Sequence, residues 1–396
     1  MTTTENNTPQ SDDNKFHIPF YEKHAFKFFI RAFDSSHEED QHHDRYDNLS
    51  SNEIRKIGAV AKKTYLLAGA AGALGVSLLY IPQIFFPFMF LNYHIALPTV
   101  LGMSGIDIPI GFTIYGVVLA LLEIYLLGLL NLRAAQQIAL ICGFPNQSDK
   151  HYEEHLYSLY QVGLEKTSKK LLEYNLDPWF GLSKFQIMIF QLFNKIKATL
   201  SNMVIKVILS RILARFTIRA YVDLIGIPIF AAWNIYSSNK VINEAKIRIM
   251  APSVIKKLTK QIKKDLKKEA EFKTLLYDVL QYITIIKRDF HYNHYILAHR
   301  LINSFEVEVK PLQEISADQL TEKLQQADEE TKNALAKVLA IGILIDGHLS
   351  LREKKTLAYI KDNLHVAFDL KAFARWERSF LEGNGLNELI EADFIP

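Results

Sequence analysis

From Thr64 to Ile106 the chain has no Asp, Glu, Lys or Arg, and a second apolar run from Ile108 to Leu132 is broken only by Glu123. A helix needs about 20 apolar residues to cross a bilayer core, and both runs exceed that. The pattern predicts a transmembrane helical hairpin whose connection covers residues 92–107. Arg55, Lys56, Lys62 and Lys63 precede it and Arg133 follows, while the connection has no Lys or Arg. That asymmetry puts the connection outside and both chain termini in the cytosol. The competing expectation is that the same hairpin folds into the protein's own core. Small residues recur four apart on the first helix, Ala68 with Gly72 and Ala71 with Gly75, a spacing that lets another helix approach closely. Glu123 is expected to face this strip, at the depth of Ala71 and Gly72. An ionisable group inside a span is a functional candidate; the alternative is a carboxyl that bonds a neighbouring helix.

The pattern elsewhere is polar or amphipathic. Residues 1–15 have no apolar core, so they read as a disordered tail and not as a cleavable signal peptide. Over 18–34, helical spacing sets Lys23, Lys27, Arg31 and Asp34 on one face and Phe26, Phe29, Ile30 and Phe33 on the other. Such a helix either lies in a membrane interface or docks its aromatics on the protein. From Ala134 to Ala251 the pattern is helical. It includes a short uncharged run, Leu224–Asn239, interrupted by Gly226 and Pro228, which predicts a buried or re-entrant helical hairpin. Val254, Leu258, Ile262 and Leu266 then make a stripe flanked by Lys256, Lys260, Lys263, Lys264 and Lys267. These lysines are read as a membrane-surface contact or a solvated face. Helix is expected to run on from there into 278–305. EVEVKPLQEISADQL reads as an extended linker with Pro311 as punctuation, and an acidic helical unit follows it.

Charge sharpens this division. Residues 133–300 hold 26 Lys and Arg against 13 Asp and Glu, whereas 301–396 hold 11 against 17. A basic block directly after a hydrophobic hairpin suits anionic lipid, while the lysine run lacks the arginines and aromatics that nucleic acid would favour. The single cysteine, Cys142, excludes an intrachain disulfide. No phosphate-binding loop, dinucleotide fingerprint or nucleophile elbow is present, so no enzyme activity or cofactor is expected. Metal-ligating histidines are weakly indicated. His37, His42 and His43 lie in a linker, His151 and His155 flank displaced glutamates, and Asp289, His291, His294 and His299 have no thiol nearby.

Two resemblances follow. The order AGAAGALG, Asp107-Ile108-Pro109 read as a turn, IALICGF, and GIPIFAAWN with Gly226, Pro228 and Asn234 resembles the EcsC-type proteins over about residues 57–250. That resemblance implies a bacterial, membrane-associated helical protein and brings no catalytic residues. ALAKVLAIGILIDGHLS, with its D-G turn, Gly347 and the capping pair Ser350 and Glu353, resembles the TerB-like modules of tellurite-resistance proteins over about 315–395. There the resemblance implies a divalent-cation role for Asp346 and Glu353, although the loop lacks the EF-hand pattern. The expected fold is all-α. It comprises an N-terminal segment (1–50), the transmembrane hairpin (51–132), a basic membrane-proximal helical unit (133–305) and a C-terminal helical bundle (306–396). The expected function is a non-enzymatic inner-membrane anchor in a bacterial envelope or stress-response assembly. It would contact anionic lipid, dock a protein partner through its C-terminal module, and leave room for homo-oligomers. The alternative is a lipid- or ion-handling component that uses Glu123.

Overall fold

Phe26, Phe29 and Phe33 carry the apolar face of α1 (Lys23–Asp34) into the protein interior, where each is 4% exposed or less. A computed structural model describes residues 23–34, 48–88, 94–97, 106–146, 149, 151–164, 166, 169–195, 219–267, 269–313, 315–364 and 366–395. The tail at 1–15, the histidine linker and the apolar stretch 196–218 lie outside the described residues. Phe26 stacks edge-on against Tyr157 and Tyr160, and Gln136 Nε2 donates to the Phe29 carbonyl at 2.7 Å. Each buried phenylalanine stabilises the docked helix by about 2 kcal/mol. This overturns lipid insertion of the aromatic face: the rings are internal, and Lys23, Lys27 and Arg31 point to solvent.

Ser50 opens α2 (Ser51–Phe85) with a reciprocal cap, accepting the Glu53 N–H at 3.2 Å while the Glu53 carboxylate accepts the Ser50 N–H at 2.6 Å. A short antiparallel ribbon follows, β1 (His94–Leu97) paired with β2 (Ile106–Pro109) in the register His94 to Pro109. Asp107, Ile108 and Pro109, expected as a turn, are therefore strand. α3 (Ile110–Ile141) returns and ends at Gly143, whose φ of +61° lets the Phe144 N–H reach back to the Ala139 carbonyl at 2.9 Å. Next come α4 (Tyr152–Gly163), a 3-10 turn (Lys170–Tyr174) and α5 (Lys184–Lys195).

α6 (Arg219–Asp265) is a single helix of 47 residues that contains Pro228 and Pro252. The hairpin expected over 224–239 does not form. Gly226 and Pro228 lie in its first three turns, close to the end where helix breakers are best tolerated. At 1.5 Å per residue α6 is about 70 Å long. Its first half packs with α2 and α3 into a three-helix layer, and its second half enters the helical body.

That body is built from α7 (Glu269–Lys287), α8 (Tyr292–Phe305), α9 (Ala317–Gln325), α10 (Glu329–Leu344), α11 (Leu351–Leu364), α12 (Leu370–Glu382) and α13 (Asn387–Glu391). α7 and α8 are not one helix. Arg288 turns left-handed at φ +52°, and its guanidinium Nη1 donates to the carbonyls of Pro178 and Phe180 at 3.0 and 2.6 Å. The extended 307–313 stretch is strapped to α7, with Tyr277 Oη donating to the Lys310 carbonyl at 3.0 Å and Gln281 Nε2 to that of Pro311 at 3.2 Å. One continuous buried core runs from Phe26 through α6 to Phe394, so it passes across the expected division near residue 306.

Candidate functional site

The apolar faces of α2, α3 and α6 turn outward. Leu66, Leu74, Ile81 and Phe85 on α2, Val118, Leu121, Leu122 and Tyr125 on α3, and Ile229, Ile235 and Tyr236 on α6 are all exposed. Two helical stretches, Ser51–Pro82 and Thr113–Ile141, are long and apolar enough to cross a membrane, and only 28% and 11% of their most apolar parts are buried inside the protein. The core helix of a soluble protein would show the reverse.

Polar groups on these helices turn inward. Glu123 is 5% exposed, and its Oε1 accepts from Asn234 Nδ2 at 3.0 Å across the α3–α6 contact. Gly75 of α2 makes room for it, because a Cβ there would fall 2.9 Å from Glu123 Oε2. Gly72 lies one turn nearer the N-terminal end of α2. A Cβ at that position would meet the Phe230 carbonyl oxygen at 2.7 Å and Asn234 Nδ2 at 2.8 Å, both on α6. Ala68 is fully buried, and Ala71 is partly buried. The carboxyl thus faces the small-residue strip, opposite Gly75 and not Ala71. Two further cross-helix bonds continue the line: Ser238 Oγ donates to Asn131 Oδ1 at 2.8 Å, and Tyr65 Oη to Asn239 Oδ1 at 2.6 Å. Asn131 and Ser238 were not legible as partners. Their only signal is spacing, Ser238 one turn after Asn234 and Asn131 two turns after Glu123.

The two groups of surface cations part company. Gln136, which holds α1, lies one turn past Arg133, so Lys23, Lys27 and Arg31 sit at the polar border of the apolar belt. Lys256, Lys260, Lys263, Lys264 and Lys267 are exposed, but helical rise places Lys256 about 24 Å and Lys264 about 36 Å beyond Lys240 along α6. An exposed charge acts over about 8 Å at physiological salt. The lysine face follows the hairpin in sequence and stands well away from the apolar belt in space. Lys263 lies over the Phe305 ring at 5.3 Å, and Lys267 Nζ pairs with Glu330 at 2.5 Å.

At the D-G turn Gly347 has φ +68°, and the Ser350–Glu353 capping box forms, with bonds of 2.8 and 3.3 Å. The space between the two carboxylates is filled from within the protein. Lys287 Nζ lies 2.7 Å from Asp346 Oδ2 and 3.2 Å from Glu353 Oε2, and donates to the carbonyls of Ile343 and His348 at 2.9 and 2.8 Å. Asp346 and Glu353 therefore hold an ammonium, not a divalent cation. Burial pushes the Asp346 carboxyl up, but the charges of Lys287 and the nearby imidazoles outweigh it and hold the group below the usual aspartate range.

The histidines also find structural partners. His294 Nε2 meets the Gly342 carbonyl at 2.9 Å, and burial, helped by His291 and Lys287 against the pull of Asp346, lowers the imidazole to about 3. His291 Nε2 lies 2.8 Å from Glu244 Oε1. Burial raises the Asp289 carboxyl. Among the described residues no group of three or more His, Cys, Asp and Glu is placed to hold a metal ion. Burial and the charge of Glu53 push the Cys142 thiol up to about 12, which keeps it protonated and unreactive at neutral pH. Comparison of the chain with protein-family models, with curated proteins and with solved structures finds no match.

Proposed function

We propose that this chain is a non-enzymatic anchor of the cytoplasmic membrane, with both termini in the cytosol, that presents a rigid helical body to a protein partner. The observation that carries this reading is the arrangement of α2, α3 and the first half of α6, with apolar side chains outward and a polar line closed between the helices. That inside-out distribution suits a hydrocarbon surround, where interhelical packing depends on small residues and hydrogen bonds. Lys23, Lys27 and Arg31 supply contacts to anionic headgroups at the border, and α9–α13 with the lysine face of α6 supply the docking surface. The bacterial envelope or stress-response setting rests on the two sequence resemblances alone.

The test is alkaline carbonate extraction of expressed membranes, followed by protease access from the cytosolic side. The reading expects retention in the pellet and cleavage at both ends. Release into the supernatant would sink it. A second reading, in which Glu123 handles an ion or a lipid, draws on the depth of its carboxyl within the apolar stretch. Glu123→Gln separates the two, since an amide oxygen still accepts from Asn234. The anchor tolerates that change at normal expression, while an ion or lipid pathway loses flux.

A further inference from the structure

Away from the apolar belt, α4, α6 and α8 surround a cleft of about 540 Å³. This volume lies within the range of small-molecule sites. Lys256 lines it from α6 and Arg300 from α8, together with His151, His155, His299 and one carboxylate, Asp149. The nearby carboxylates are already engaged. Asp149 Oδ2 lies 3.5 Å from His155 Nε2, and its other oxygen accepts the His151 N–H at 2.9 Å. Glu154 is held by Lys170 and by His151 Nδ1, the latter at 3.1 Å. Both acids sit near 2. For Asp149 the His155 hydrogen bond leads the fall, and for Glu154 burial resists it while His151 and Lys170 prevail. Lys256 and Arg300, by contrast, have no ion-pair partner among the described residues. Asn146, Asn303, Ser253 and Ser304 add neutral hydrogen-bonding groups around the same space. His155 is paired with Asp149 and His299 Nδ1 with Tyr174 Oη at 2.5 Å, so the two cations without ion-pair partners, together with the neutral amides and hydroxyls, form the environment for a compact dianion.

We infer that this cleft binds a phosphate-bearing ligand, with Lys256 and Arg300 as its charge contacts and the hydroxyls of Ser253 and Ser304 as hydrogen-bond partners. The phosphate could come from a free phosphorylated small molecule or from a lipid headgroup, and these sources can be separated. The full chain, purified in neutral detergent, is titrated calorimetrically with inorganic pyrophosphate and, separately, with a short-chain phosphatidic acid. Saturable binding is expected with at least one probe. Pyrophosphate binding identifies a soluble ligand, and binding of phosphatidic acid alone identifies a headgroup. Lys256→Gln with Arg300→Gln should weaken that binding at least about tenfold, the loss expected from one charge-assisted contact. Both residues are exposed, so the double variant should fold, which its unchanged unfolding midpoint would verify. Lys257→Gln, which removes one charge at the adjacent position of α6, where Nζ donates to Asn387 Oδ1 at 3.2 Å, should leave binding intact. The inference is overturned if neither probe binds, if the double variant binds as well as the parent, or if Lys257→Gln weakens binding equally.

Discussion

Replacing Lys287 by Met tests the buried ion cluster most directly. The three side chains are 2%, 9% and 4% exposed for Lys287, Asp346 and Glu353, so water cannot take over the ammonium's role. The methionine fills a similar volume but leaves two carboxylates and two carbonyls without their shared donor. Breaking a buried pair from one side costs about 3–5 kcal/mol, whereas removing the whole set is often neutral. Lys287→Met should therefore lower the unfolding Tm on the order of 10 °C, given a body of this size. The triple variant Lys287→Met, Asp346→Asn, Glu353→Gln should recover most of that loss.

The pH dependence carries its own sign. In the parent, Asp346 has a depressed folded pKa, so its contribution is present above about pH 4 and is lost on acidification through the folded value. In Lys287→Met the leading downward influence is gone and burial dominates. The folded pKa then exceeds the unfolded one, and the contribution is lost as pH rises. The gap between parent and variant should widen from about pH 4 to pH 7. Circular dichroism melts across that range measure it. A gap under about 1 kcal/mol, or one that does not change with pH, would refute the reasoning.

Two other outcomes are expected. Gly72→Ala should destabilise the three-helix layer by about 1–3 kcal/mol, because its methyl meets backbone at 2.7 Å, while Gly58→Ala on the same helix, with nothing within 4 Å, should be neutral or stabilising; unfolding titrations in mixed micelles compare them. Acidification below about pH 4 should weaken the α4 region, since the folded carboxyls of Asp149 and Glu154 lie near 2, below their unfolded values, and their stabilisation is lost as pH falls toward 2. Glu154→Gln should flatten that acid limb in a pH series of urea midpoints.

Helix content, the two apolar helices and the inward Glu123 were legible because each rests on local periodicity or on charge at a fixed depth. Ser350 with Glu353 was legible for the same reason, as a cap lies within four residues. What escaped depends on contacts distant in sequence. Nothing around Asp346 reveals that Lys287, 59 positions earlier, occupies its turn. Nothing around Phe29 tells an interfacial helix from a docked one, because the deciding partners are Tyr160 and Gln136. The lysine face is close to the hairpin along the chain, and the continuous helix carries its first member about 24 Å past Lys240. Pro228 suggested a bend that the helix absorbs near its start.

In the proposed anchor, the uninterrupted course of α6 has a mechanical consequence. A body tethered by a flexible linker samples every azimuth above the bilayer and meets its partner by search. A body fixed to one shaft about 70 Å long, half of it wedged between α2 and α3, holds a set height and heading. A tilt or twist of the membrane-embedded half must then swing the distal face through an arc, so lateral events in the bilayer become displacements at the docking surface without any hinge.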